Sequence, residues 1–271
     1  MRNKYTYTII IAIITVIFYY TNEYLDEKNE NYPSLEITVS SNYKEFDVSY
    51  LPKSTTGNII FHNYYTLSYV EKHEQAEWVA YELQKDQIVN SNFKRPYFVE
   101  DRKVKSGSAD WKNYKKSGYD KGHLCPAGDR KFDYNAFHET FLTSNISPQD
   151  RDFNRGIWNR LEQKTRYWAK KYDGVYIVTG GVLEDGLKKI GTESVSVPKY
   201  FYKIIIDTSN EKYKAIAFLI PNKKSSNSFY KYVVSIDEIE ALSGIDFFSN
   251  LNDTVENKLE AEIKLKAWRG R

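Results

Sequence analysis

A single cysteine, Cys125, in 271 residues excludes an intramolecular disulfide and gives no support to thiol redox chemistry or a thiolate metal cage. Histidine is nearly as scarce, with His62, His73, His123 and His138 only. No H-E-x-x-H pair occurs, which removes the usual helical site of a zinc hydrolase. The turn Thr179-Gly180-Gly181 lacks the Gly-Lys-Ser/Thr ending of a phosphate loop and reads as a post-strand turn. Neither sign of charge is in surplus. The 39 basic and 36 acidic residues leave a formal charge of +3, too little to identify a polyanionic partner from bulk charge. Repeats and long low-complexity segments are absent as well. With 41% hydrophobic, 28% charged and 16% aromatic residues, the chain is neither disordered, collagen-like nor a polytopic membrane protein. Its length suits one large domain with a well-filled core.

The balance of charge is uneven along the chain. Between Arg102 and Lys131 nine basic residues face three acids, a local patch that suits a polyanionic ligand. At the other extreme, Tyr5–Asn22 carries no charge, follows Arg2 and Lys4, and precedes Glu23, Asp26 and Glu27. Residues 1–25 therefore read as a signal peptide or membrane anchor with a cytosolic N-terminus, and no A-x-A-like cleavage site follows. A polar tether over 26–56 and one domain over 57–271 complete the expected organisation. On this reading the chain is exported, to a periplasmic, extracellular or outward-facing membrane-anchored location, with the membrane as a partner of the N-terminal segment.

Tyr64–Val70 and Trp78–Leu83 read as a hairpin, although His73–Gln84 also suits a helix. Val175–Thr179, Tyr200–Asp207 and Tyr213–Ile220 are the clearest strands, rich in β-branched and aromatic residues. After Asp152, the apolar residues Phe153, Ile157, Leu161 and Trp168 recur at helical spacing until Asp173-Gly174. A shorter helix over Asp237–Leu242 is closed by Gly244. Strands and helices without regular alternation predict an α+β fold, an antiparallel sheet core with flanking helices.

Three segments carry chemistry. In Tyr119-Asp120-Lys121-Gly122-His123, an imidazole sits beside a glycine that permits close backbone approach, within the basic patch. At neutral pH a free imidazole accepts a proton from water. Next come Ser144-Asn145-Ile146-Ser147-Pro148-Gln149 and Phe153-Asn154-Arg155-Gly156-Ile157-Trp158-Asn159-Arg160-Leu161-Glu162. On a regular helix Asn154 and Glu162 lie about 80° apart in azimuth and ~12 Å apart along the axis, so both do not readily ligate one ion. Glu162 leans back toward Asn154. An amide and a carboxylate are hard oxygen donors, which suit Mg²⁺ rather than zinc. Taken singly, each segment also suits an ordinary structural role.

In this order and spacing, the three segments resemble the DNA/RNA non-specific endonuclease family, the ββα-metal or His-Me finger group related to endonuclease G. The resemblance extends over roughly 57–250. It implies a ββα-metal active site and a sequence-non-specific endonuclease hydrolysing phosphodiester bonds of DNA and RNA, with 5′-phosphate and 3′-hydroxyl ends. Residue by residue it implies His123 as general base, Asn154 as the protein ligand of Mg²⁺ (Mn²⁺ being the alternative ion), Glu162 as the residue that orients water on the ion, and Asn145 as a residue positioning the site. Lys121 stands where the family has a phosphate-contacting arginine, keeping the charge and losing the bidentate fork. Arg95 matches a second phosphate-contacting arginine. Asp120 reads as fixing the turn that presents His123, and Cys125 as a small packing residue. The competing reading is a membrane-tethered nucleic-acid-binding module that has lost catalysis. Lys121 is the one feature favouring it; His123, Asn154 and Glu162 argue against it.

Overall fold

Runs rich in Val, Ile, Tyr and Phe become the strands of one antiparallel sheet. In the computed structural model, which describes residues 48–209 and 213–269, its order is β1 (Ile59–Phe61), β2 (Thr66–Val70), β3 (Gln75–Gln84), β6 (Gly174–Gly181), β9 (Tyr200–Asp207), β10 (Lys214–Pro221) and β11 (Val233–Val234). Two small ribbons lie outside it: β4 (Asp120–His123) with β5 (Ile146–Gln149), and β7 (Lys189–Ile190) with β8 (Val195–Ser196). The α+β expectation holds, and the large sheet is antiparallel throughout. His73–Gln84 is mostly strand and not helix: a short 3-10 turn at Glu71–His73 delivers the chain into β3, which then pairs with both β2 and β6.

Period-two alternation gives the sheet two buried faces. Tyr81, Leu83, Ile177, Phe201, Ile205 and Phe218 point to one side; Trp78, Ala80, Tyr176, Tyr202, Ile204 and Ala217 point to the other. The first face is covered by the long helix predicted after Asp152. It runs as α2 (Arg151–Phe153), a π-helical turn at Asn154–Trp158, and α3 (Asn159–Lys171). Asp150 caps it, accepting from the backbone N–H groups of Asp152 (2.9 Å) and Phe153 (3.0 Å), an interaction worth about 1 kcal/mol. Ile157, Leu161 and Trp168 are fully buried against the sheet. The short α1 (Tyr134–Glu139) precedes β5.

The second face is covered by α4 (Ile236–Ser243), closed by left-handed Gly244 as the sequence predicts, and by α5 (Asp253–Ala261). A final turn, α6 (Leu265–Arg269), returns Trp268 to the first face, where its ring meets Trp168 at 5.0 Å. Contacts divide the chain into two units, Met1–Ser41 and Asn42–Arg271, and every described residue belongs to the second. The N-terminal segment 1–25 and most of the tether lie outside the described residues. Among the described residues no helix is long and apolar enough to cross a membrane.

Candidate active site

The three chemistry-bearing segments form one continuous ββα unit. Strand β4 pairs with β5 in the register Asp120↔Gln149 and His123↔Ile146, and Asp150 then starts the long helix. Gly122 has a clear steric reason: the Gln149 side chain occupies the space of a Cβ, which would lie 2.2 Å from Gln149 Cδ. Both amide atoms of Gln149 are buried and without hydrogen-bond partners among the described residues.

His123 ends β4 in an aromatic corner. Its ring lies 4.9 Å from Phe141, edge-on, and 5.5 Å from Phe98. Its Nε2 is shielded and has no hydrogen-bond partner among the described residues. Burial, assisted by the Arg95 guanidinium, pushes the imidazole down to about 3, so the free protein carries it neutral. Arg95 Cζ lies 5.6 Å from the Phe98 ring centroid and 5.4 Å from that of Phe141, and Lys121 Nζ lies 5.1 Å from Phe98 and 5.5 Å from Trp111. Thus Phe98 gathers His123, Arg95 and Lys121 around one ring. Burial and the nearby Arg95 both lower the Lys121 ammonium, as two cations held together require.

Asn154 stands at the first residue of the π turn, half-buried, and its Nδ2 donates to Asp120 Oδ2 at 3.3 Å. That bond engages the amide nitrogen and not the oxygen, and an amide oxygen is a hard donor of the kind that fits a cation such as Mg²⁺. The π turn also alters the expected helical arithmetic, because 100° per residue does not apply across Asn154–Trp158. Glu162, half-buried, shares no hydrogen bond with Asn154 among the described residues. It belongs instead to a charged group with Lys203, Asp129 and Arg166. Burial pushes its carboxyl up to about 7, against the attraction of Lys203. Arg166 pairs with Asp129 at 2.6 Å, and Tyr81 donates to the other oxygen of Asp129 at 2.9 Å.

Asn145 is fully buried and wholly engaged by backbone. Its Oδ1 accepts from Cys125 N (2.8 Å), and its Nδ2 donates to the carbonyls of Cys125 (3.0 Å) and Thr140 (2.9 Å). Its own carbonyl accepts from Leu124 N at 2.9 Å. It clamps the residues that directly follow His123. Nearby, Asp101 binds His62 Nε2 at 2.8 Å and accepts from Ser144 Oγ at 2.6 Å, tying the Phe98–Asp101 segment to the strand approach.

Sequence reasoning passed over Lys203. It lies between Phe201 and Ile205 on the site-facing side of β9, fully buried, with Nζ 5.0 Å from the Trp158 ring and no hydrogen-bond partner among the described residues. A lysine at an inward position of an otherwise apolar strand was the available signal. Burial lowers its ammonium, while Glu162 and Asp129 oppose that effect.

A family model described as DNA/RNA non-specific endonuclease matches residues 42–254. Mitochondrial nuclease EXOG of Danio rerio is 35% identical over 218 residues, which cover 74% of this chain and 63% of that protein. Mitochondrial endonuclease G of Caenorhabditis elegans is 32% identical over 217 residues, covering 72% of this chain and 69% of that protein. A crystal structure of the EndoG/EndoGI complex superposes with a TM-score of 0.67 at 30% identity, covering 72% of this chain and 87% of the other. The chain spans less than two thirds of the length of the EXOG proteins it matches, 63% in zebrafish and 56% in human. The names of both curated relatives are mitochondrial, which overturns the expectation of an exported chain; an apolar, positively flanked N-terminus did not discriminate the destination. Matched over most of its length, from before β1 to the start of α5, the chain belongs to the DNA/RNA non-specific endonuclease family.

Proposed function

We propose that this chain is a metal-dependent, sequence-non-specific endonuclease that hydrolyses phosphodiester bonds of DNA and RNA to 5′-phosphate and 3′-hydroxyl ends. The observation that carries the reading is the ββα unit that presents a neutral His123 at the end of β4 and, on the helix that follows β5, Asn154 at the start of the π turn. His123 takes a proton from water, whose oxygen forms the new bond to phosphorus as the bond to the 3′-oxygen breaks, the 3′-oxygen leaving to become the 3′-hydroxyl. An incoming phosphodiester brings negative charge to the corner where burial and Arg95 keep the imidazole neutral, and so raises its basicity when substrate is bound. General-base help of about 10²–10⁴-fold is insufficient alone for so slow a reaction.

Asn154 would hold a Mg²⁺ ion, or Mn²⁺, through its amide oxygen, with Glu162 orienting water beside it; when bound, the ion neutralises charge developing on the phosphate and the leaving oxygen. Lys121 and Arg95, both over Phe98, hold backbone phosphates on the same side as His123. Such contacts carry no base information, so cleavage has weak sequence preference and binding weakens steeply with salt. Asn145 positions rather than reacts, since its three polar contacts are all to backbone.

The test incubates the full chain and its His123→Ala variant with supercoiled plasmid and with single-stranded RNA, in Mg²⁺ or EDTA. Nicking that requires both Mg²⁺ and His123 supports the reading. Plasmid retention without cleavage in any divalent metal would overturn it.

A further inference from the structure

On the sheet face opposite the ββα unit, α4 and α5 bring three carboxylates together. Asp237, Glu240 and Glu260 each offer an oxygen, and these atoms lie within 4.8 Å of one another. Asp237 is exposed at the first turn of α4 and Glu240 is half-buried one turn on, while Glu260 reaches across from the end of α5. Glu260 is only 6% exposed, and its Oε1 has no hydrogen-bond partner among the described residues. As an anion, a buried carboxylate beside two others, with one oxygen to which nothing donates among the described residues, is an unfavourable arrangement unless something positive completes it. Neighbouring protein charge does not. Glu256 and Asp246 add negative potential at Glu260, and Lys53 is engaged by Asp246 at 2.5 Å.

We propose that Asp237, Glu240 and Glu260 form a calcium site that fastens α5 to α4. Calcium takes oxygen ligands at about 2.3–2.6 Å, so one ion spans donor atoms separated by up to about 5 Å. Three carboxylates with room for water on the exposed Asp237 side match its preference for hard, negatively charged and irregular coordination; magnesium demands a tighter octahedron. Glu240 already accepts from Phe247 N through Oε1 at 2.7 Å, a bond that orients the carboxylate without exhausting its oxygens. The site is separate from the catalytic unit: α4 and α5 pack on the second sheet face, whereas Phe153, Ile157 and Leu161 pack on the first. Glu260 lies beyond the family match, which ends at residue 254, whereas Asp237 and Glu240 lie within it. This proposal does not rest on the endonuclease reading.

Calorimetric titration of Ca²⁺ into the full-length Asn154→Ala variant, with the melting temperature measured in parallel, tests it while silencing the other candidate cation ligand. The expected result is one Ca²⁺ per chain with a rise in melting temperature. Glu260→Gln or Asp237→Asn in that background should weaken binding roughly tenfold or more and abolish the rise. Asp237 is exposed, so its variant keeps the fold even where Glu260→Gln does not. Absence of binding up to about 1 mM Ca²⁺, or binding indifferent to both substitutions, would overturn the site. Plasmid cleavage by Asp237→Asn alone should stay at the wild-type rate in Mg²⁺. A chain that binds Ca²⁺ here yet never cleaves would overturn the endonuclease reading and leave this site standing.

Discussion

Asp120 Oδ2 accepts a hydrogen bond from Asn154 Nδ2 at 3.3 Å, so a ribbon strand sets the orientation of an amide at the head of the site helix. The same carboxylate accepts from Arg155 Nε (3.1 Å) and Arg151 Nε (3.4 Å). Both arginine side chains are 68% exposed and add little as ion pairs in water. The consequential partner is therefore Asn154: its N–H₂ group is held by Asp120, which leaves its oxygen for the cation proposed above.

Asp120→Ala should raise the Mg²⁺ concentration needed for half-maximal plasmid cleavage and lower kcat/KM by roughly 10–100-fold, the usual effect of removing a group that orients a metal ligand. Arg151→Ala and Arg155→Ala are the controls, because they break the exposed pairs and leave the amide contact. Equal Mg²⁺ requirements in Asp120→Ala and wild type would show that the carboxylate serves the arginines alone.

His123 should stay neutral through the range in which histidines ordinarily titrate. Its lowered pKa places protonation near about 3, so NMR of the ring in the full chain should show no titration between roughly pH 5 and 8. Arg95→Ala removes one of the two causes, and the imidazole should then titrate at higher pH, while burial keeps it below 6.5. An unaltered ring signal in Arg95→Ala would mean that burial acts alone.

Glu162 makes the opposite prediction for stability. Its folded-state pKa is raised to about 7 by burial, above the ordinary 4.5, so the folded protein binds the extra proton between those values. Its contribution is most favourable below about pH 4.5 and is lost as pH rises through about 7. Glu162→Gln should therefore be more stable than wild type at pH 8, by about 1–3 kcal/mol, and converge with it near pH 4.5. Urea unfolding at the two pH values measures the difference. Activity should fall in the same variant, since the retained charge serves the site and not the fold.

The strands legible in the sequence were those where alternation and β-branched residues coincide, Val175–Thr179 and Tyr200–Asp207, and the helix legible at Asp237–Leu242 had its glycine stop. The β4–β5 ribbon was not legible as strand. Asp120-Lys121-Gly122-His123 and Ile146-Ser147-Pro148-Gln149 contain glycine, proline and charges that local propensity counts against strands, and only their mutual pairing makes them so. The three segments that carry the family resemblance were legible because each is a local string. The Lys203–Glu162–Asp129–Arg166 group was not, since it joins β9, α3 and the turn after Cys125 across a sheet face that no spacing rule encodes. The π turn at Asn154 was likewise hidden behind apolar residues whose 3.6-residue spacing describes an unbroken helix.

Asn145 separates positioning from chemistry. Its amide supplies the partners of Cys125 N, Cys125 O and Thr140 O in a fully buried setting, and it touches the chain just after His123. Asn145→Leu would leave three backbone groups unpaired in the core at about 1–3 kcal/mol each, a large part of the 5–15 kcal/mol that holds a typical domain together. Asn145→Asp keeps the acceptor for Cys125 N but turns a carboxylate oxygen toward two carbonyls, so it should destabilise as well. Both variants should show sharply lowered melting temperatures. Whatever fraction remains folded in the cold should cleave plasmid with a reduced kcat and a nearly unchanged KM, because a displaced His123 loses the reacting geometry while Lys121 and Arg95 still hold phosphate. A wild-type melting temperature with abolished cleavage would instead place the Asn145 amide against substrate, contrary to its three backbone bonds.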